Sequence, residues 1–94
     1  MNDNFQLNEG ERKGNVKYQI SDNVLALMTF TKADNIIIID HTEVDESLRG
    51  QGIGRQLLDR IVEMVRQRNM KIIPLCPFAK SVFEKDVSIR DVLK

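Results

Sequence analysis

The chain has one cysteine, one histidine, one tyrosine, two prolines and no tryptophan among its 94 residues. Cys76 has no partner in the chain, so a disulfide framework is excluded, and no metal site is expected. No apolar run approaches the roughly 20 residues that cross a bilayer, and the opening Met1, Asn2, Asp3, Asn4 lacks the basic and apolar regions of a signal peptide. Both absences fit a reducing cytoplasm and no membrane. Formal net charge is zero, which argues against a nucleic-acid partner. At this length one domain over residues 1–94 is expected, with about 60–65% of its unfolded surface buried, and a monomer.

The zero net charge hides an asymmetry. Residues 1–47 carry four basic and nine acidic side chains, whereas residues 48–94 carry ten basic and five acidic. One consequence is a dipole that aids solubility; the other is an anionic ligand held by the second half and a cationic one met by the first.

Apolar and polar residues alternate through Phe5 and Leu7, then Val16, Tyr18 and Ile20, then Leu25, Leu27 and Phe30. Such alternation predicts strands with one covered face, broken by turns at Gly10 to Asn15, Ser21-Asp22-Asn23 and Lys32-Ala33-Asp34-Asn35. Ile36 to Ile39 is continuous and β-branched, so it predicts a central strand covered on both faces, with His41 at its end. From Gly52 to Asn69 the period changes. Ile53, Leu57, Leu58, Ile61, Val62 and Val65 form one stripe, which predicts a helix of about four turns closed by a left-handed Asn69. Lys71 to Cys76 is then a short strand, so the unit is a right-handed crossover to a parallel neighbour. A short helix over Pro77 to Lys85 follows, and Ser88 to Leu93 adds a turn. Met28, Met64 and Met70 read as core, and Arg66, Arg68 and Lys71 as a solvated helix end.

Pro74 has no N–H to give a ladder. A strand containing it must part from the isoleucine strand there, leaving unpaired backbone that an extended, amide-bearing ligand can satisfy.

The most informative segment is Arg49-Gly50-Gln51-Gly52-Ile53-Gly54, between the isoleucine strand and the helix. Glycines at alternate positions open the backbone N–H groups to close approach, and the helix N-terminus adds partial positive charge. A P-loop needs Lys-Ser/Thr after its last glycine, where Arg55-Gln56 stands. A dinucleotide fingerprint needs a glycine where Arg55 stands and an acidic residue near Lys71-Ile72-Ile73. What remains is Arg-x-x-Gly-x-Gly.

With its flanking elements, from about Val44 to Lys85, this segment resembles the GNAT superfamily of acetyl-coenzyme A-dependent N-acetyltransferases. The resemblance implies a minimal GNAT fold of the α+β class: an antiparallel meander leading into one parallel β-α-β crossover with a splayed strand pair and helices over the faces of a mixed sheet. It implies acetyl-CoA as cofactor, its pyrophosphate on the amides of Gln51 to Arg55 and its pantetheine arm beside Val44, so that Val44, Arg49, Gly50, Gln51, Gly52, Ile53, Gly54 and Arg55 are the cofactor-binding residues. Lys80 or Lys85 is placed to meet the 3′-phosphate. The activity implied is acetylation of an amine; a non-catalytic coenzyme A module is the alternative.

Acetyl transfer to an amine needs a base and a route for the departing thiolate. The family's frequent glutamate in the central strand is replaced here by isoleucines, and its tyrosine by Phe83. His41 and Cys76 are expected at the carboxyl ends of the two parallel strands, on the ligand side of the sheet, and small single-domain members of the family resemble this chain in carrying such a pair. His41 is therefore the expected base. Cys76 either lies against the thioester or, activated by His41, takes the acetyl group itself. For each there is a plain structural role as well: a buried small hydrophobe for Cys76, a strand-end hydrogen bond for His41. Glu43, Asp45 and Glu46 form an acidic cluster beside this site: either it is a solvated strand end, or Glu43 or Asp40 attracts a cationic amine or serves as the base in place of His41. The turn at Gly10 to Asn15 is too short for the helices that wall the family's acceptor pocket. An open acceptor side suits a protein side chain, a peptide end or a polyamine.

Overall fold

The computed structural model describes residues 4–94. Five strands form one mixed sheet in the order of the chain: β1 (Phe5–Glu9), β2 (Lys13–Ile20), β3 (Asn23–Ala33), β4 (Ile36–Val44) and β5 (Lys71–Pro74). Neighbours β1 to β4 are antiparallel and β4 with β5 is parallel. The fold is α+β, as the pattern of the sequence implies. The hairpins turn on Ser21 and Asp34, each at φ 54°; aspartate tolerates that left-handed conformation because its short polar side chain bonds locally.

The first turn is shorter than its residues suggest, since β2 begins at Lys13 and takes in Gly14 and Asn15. Gly14 is there for room. A Cβ on it would lie 2.5 Å from the Phe30 ring and 2.6 Å from the Asn8 carbonyl oxygen. It is a close approach inside a strand and not a turn residue.

Helix α1 (Ile53–Arg68) lays Leu57, Leu58, Ile61 and Val65 on Val16, Met28, Phe30, Ile37, Ile39 and Ile72, all fully buried or nearly so. It stops at Asn69 in the left-handed conformation (φ 54°, ψ 42°), with the Met70 N–H bonded back to the Val65 carbonyl. Helix α2 (Pro77–Lys85) starts with proline in its first turn and buries Ala79 and Phe83. A 3-10 segment over Val87–Val92 follows, and Leu93 bridges to Ile72 beyond the β5 edge. Among the described residues no helix is long and apolar enough to cross a membrane.

The isoleucine strand is covered on one face only. Ile37 and Ile39 are buried, whereas Ile36 and Ile38 are half-buried, as is Ile73, the β5 partner of Ile38. Two helices cannot cover both sides of five strands, and isoleucine serves an open sheet face because its preference is for the pleated backbone as much as for burial. The strand also runs past His41 to Val44, pairing with β3 throughout. His41 is therefore inside the strand and not at its end.

Parallel pairing of β4 with β5 ends at Ile39 and Pro74. There the Ile39 carbonyl accepts from the N–H groups of Leu75 (3.0 Å) and Cys76 (3.2 Å), as the chain turns away into α2. Beyond this point the edge of β4 on the β5 side is open.

Candidate cofactor groove and reaction site

Between β4 and α1 the chain makes a 3-10 turn, Glu46–Leu48, capped by Asp45, whose carboxylate accepts the Ser47 N–H at 3.0 Å and its hydroxyl at 2.5 Å. Those bonds hold the Asp45 carboxyl below its ordinary range. Leu48 anchors the turn in the core. Gly50 (φ 81°) and Gly52 (φ 71°) then take the left-handed conformation that delivers the chain to the start of α1, and a Cβ on either would meet nothing within 4 Å. Backbone conformation, not space, calls for glycine at these two positions.

Gly54 differs. Its Cβ would lie 2.9 Å from the end of the Phe78 ring, so here glycine makes room for α2. The three glycines are thus not equivalent.

Gly52 caps α1 without a side-chain hydrogen bond, and the first turn has no acidic residue. The amides of Ile53, Gly54 and Arg55 are left at a helix N-terminus open to an anion. The Gln51 amide is not among them, since it donates to the Leu48 carbonyl at 3.2 Å. In front lies an open cavity of about 460 Å³ whose lining includes Val44, Arg49, Gly50, Gly52, Ile53, Gly54 and Arg55. Of the expected cofactor-binding residues, only Gln51 is missing from it. Phe78, Val82 and Lys85 of α2 form the opposite wall. Lys80 faces elsewhere, beside Pro74, Phe83 and Arg90. A larger concavity of about 700 Å³ lies over β1 to β3 and Asp40, but no helix contributes to its lining.

The side chain of Arg55 is engaged by carboxylates away from the cavity. Its Nε donates to Asp59 at 2.8 Å and its Nη2 to Asp86 at 2.6 Å. These bonds, to Asp59 first, raise its already high pKa. Asp86 is held down to about 2, by the Ser88 hydroxyl first and then by Arg55. The arginine therefore ties the start of α1 to the segment after α2. Arg49 is mostly exposed, with Glu46 at 3.7 Å.

The hydrogen-bond phase of β4 shows what faces the open edge. Thr29 pairs with His41 and Leu27 with Glu43, and the Asp45 N–H donates to the Leu25 carbonyl. In an antiparallel ladder, alternate residues turn their N–H and C=O groups to the other side. The backbones of Thr42 and Val44 thus face the gap left by β5, beside the cavity.

A β-bulge decides which side chains meet there. Register passes from Phe30 with Ile39 to Thr29 with His41, leaving Asp40 as the extra residue. Thr31 Oγ1 donates to Asp40 Oδ2 at 2.7 Å and holds it in place. The bulge reverses the alternation beyond it. Thr42 falls on the helix side, with its Oγ1 3.2 Å from Cys76 Sγ, while His41 is turned out beside Glu43, Nε2 to Oε1 3.7 Å, with both side chains well exposed. Cys76 is 4% exposed, and its sulfur also accepts the Ala79 N–H at 3.3 Å, capping α2. The structure therefore does not join His41 to Cys76: Thr42 is the side chain on the thiol. Glu43 and Asp45 line a shallow cleft with Leu25 and Leu27 on the far side of Val44. Phe83 has no hydroxyl, and Tyr18 packs tilted against Phe5 with centroids 4.9 Å apart, so neither brings a hydroxyl to the splay.

Thr42 and Phe78 are additions to the residues singled out by the sequence. The Phe78 signal was the third glycine; for Thr42 there was none, because a bulge cannot be read from alternation.

A family model described as GCN5-related N-acetyl-transferase matches residues 4–92. No curated protein matches the chain. Among solved structures, an NMR structure of a GCN5-like protein from Staphylococcus aureus is 42% identical, with 97% of this chain and 89% of that one covered and a TM-score of 0.75. Two ribosomal-protein-alanine N-acetyltransferases share the fold at low identity. That from Brucella melitensis is 17% identical (81% of this chain, 62% of that one, TM-score 0.69), and that from Escherichia coli is 20% identical (82% and 53%, TM-score 0.68). The chain thus spans less than two thirds of the length of those two enzymes.

Proposed function

Because the chain belongs to the GCN5-related N-acetyltransferase family, we propose that it transfers an acetyl group from acetyl-coenzyme A to an amine, as a cytoplasmic monomer. The observation that carries this reading is the juxtaposition of two unsatisfied backbone surfaces. The α1 amides of Ile53 to Arg55 suit a pyrophosphate, and the Thr42 and Val44 edge of β4 suits the amides of a pantetheine arm. Val44 and the residues Ile53 to Arg55 line one cavity. Gly50 and Gly52 shape the loop, and Lys85 at the groove wall suits the 3′-phosphate.

Acetyl-coenzyme A supplies an activated acyl group on a good leaving thiol. The chain's own residues supply the rest. His41 takes a proton from the incoming ammonium group so that a neutral nitrogen can attack the acyl carbon; the acyl–sulfur bond breaks as the amide forms, and the second nitrogen proton leaves with coenzyme A as its free thiol. Cys76 lies against the thioester, at the point of the splay, with Thr42 bonded to its sulfur. The exposure of His41 and its separation from the thiol favour direct transfer over an acetyl-cysteine. The acceptor approaches the open face that carries His41, Glu43 and Asp40, which suits a cationic protein side chain, peptide end or polyamine.

Thiol release from acetyl-coenzyme A across a panel of such amines tests the proposal, alongside calorimetric binding. Release that depends on amine is expected. Binding with no release across the panel would leave a non-catalytic coenzyme A module; no binding would remove the cofactor as well.

A further inference from the structure

We infer that Phe78 is a cofactor-contacting residue and that Gly54 serves it sterically: glycine at this position makes room for an apolar wall of the groove and is not needed for the approach of phosphate. The inference rests on the coenzyme A reading of the groove given above. Three observations carry it. Gly54, unlike Gly50 and Gly52, has no left-handed φ, so any residue could adopt its backbone. The three atoms nearest to its missing Cβ all belong to the end of the Phe78 ring, at 2.9, 3.2 and 3.4 Å. Phe78 is nevertheless 37% exposed, and it lines the cavity with Val44 and Val82.

A large apolar side chain that is both seated on a helix and open to a groove has two effects on a ligand there. Its free face offers contact area to an alkyl or ring portion. Its edge, lying over the first turn of α1, keeps water from the amides of Ile53 to Arg55, which strengthens their attraction for an anion. Substitution of Gly54 displaces the ring from this seat. The groove then loses its wall although no phosphate contact has been touched.

The test is a double-mutant cycle read by calorimetric titration with coenzyme A. Gly54→Ala and Phe78→Ala should each weaken binding about tenfold, whereas Gly54→Ala made in the Phe78→Ala background should cost less than about twofold, because the clash is gone. A merely structural glycine would show in melting temperature and not in affinity; alanine is the better helix former, so with the clash gone the double variant should melt above Phe78→Ala alone. Additive losses, or wild-type affinity in Phe78→Ala, would overturn the inference. If Gly54→Ala alone fails to fold, the double variant against Phe78→Ala, with Phe78→Leu as the milder truncation, carries the same comparison. Absence of coenzyme A binding by the wild-type chain would instead overturn the reading of the groove, and the inference with it.

Discussion

Glu9 is the residue at which acid should first act on this fold. Its carboxylate accepts from Arg68 Nη1 at 2.8 Å and Nη2 at 2.7 Å, and from Lys32 Nζ at 3.2 Å. It thereby links the edge strand β1 to β3 and to the last turn of α1. The Arg68 bonds are the main reason its pKa falls from 4.5 to about 2, against a burial effect that raises it. Because the carboxyl is more acidic in the fold than in the unfolded chain, its contribution is complete above about 4.5 and is lost as pH falls towards 2. Taken at face value the shift is worth about 3 kcal/mol. With Glu9 21% exposed and Arg68 45% exposed, solvent screening reduces this to about 1–2 kcal/mol. Glu9→Gln should therefore lower stability by that amount at pH 7, a fall of about 5–12 °C in melting temperature for a domain of this size. The difference from wild type should close as pH is lowered through that window, followed by urea unfolding. Because Glu9 lies at the end of α1 away from the groove, coenzyme A affinity at pH 7 should be unchanged. A difference that stays constant from pH 7 to pH 2.5 would refute the ion-pair account and leave only packing.

Four further outcomes are expected. Gly52→Ala, which places a side chain at φ 71° with nothing to clash against, should cost about 1–2 kcal/mol of backbone strain in thermal unfolding and weaken coenzyme A binding. Lys85→Ala should weaken coenzyme A binding and leave 3′-dephospho-coenzyme A unaffected; equal losses for both would detach Lys85 from the 3′-phosphate. His41→Ala should lower kcat by about a hundredfold or more with little change in cofactor affinity. Cys76→Ala should keep most of its turnover, and an acetylated Cys76 trapped in rapid-quench mass spectrometry would reverse that assignment in favour of the covalent route.

What the residues declared in advance follows physical lines. The stripe of α1, its left-handed Asn69 stop and the proline at the start of α2 are local rules of helix geometry, and the structure has them at those places. Pro74 announced the parting of β4 and β5 because the lack of an N–H is a covalent property. The failures are tertiary. Four consecutive isoleucines look doubly covered until both helices are seen to share one core with Ile37 and Ile39. Gly14 looks like a turn until Phe30 is placed over it. His41 and Cys76 looked like partners because simple strand ends would bring them together, and one extra residue at Asp40 sends the histidine to the other face. One extra residue in a strand turns every side chain beyond it to the other face.

The open edge of β4 has a consequence for the protein without its ligand. By position β4 lies inside the sheet, but from Thr42 onward its outer amides behave as those of a border strand. In hydrogen exchange the Thr42 and Val44 amides should therefore trade with solvent far faster than those of Ile37 or Ile39 in the same strand, and slow when the gap is filled. A strand half interior and half border is also a template for another extended chain. Saturation with an arm that occupies the gap would then act as a guard against pairing between copies of the protein.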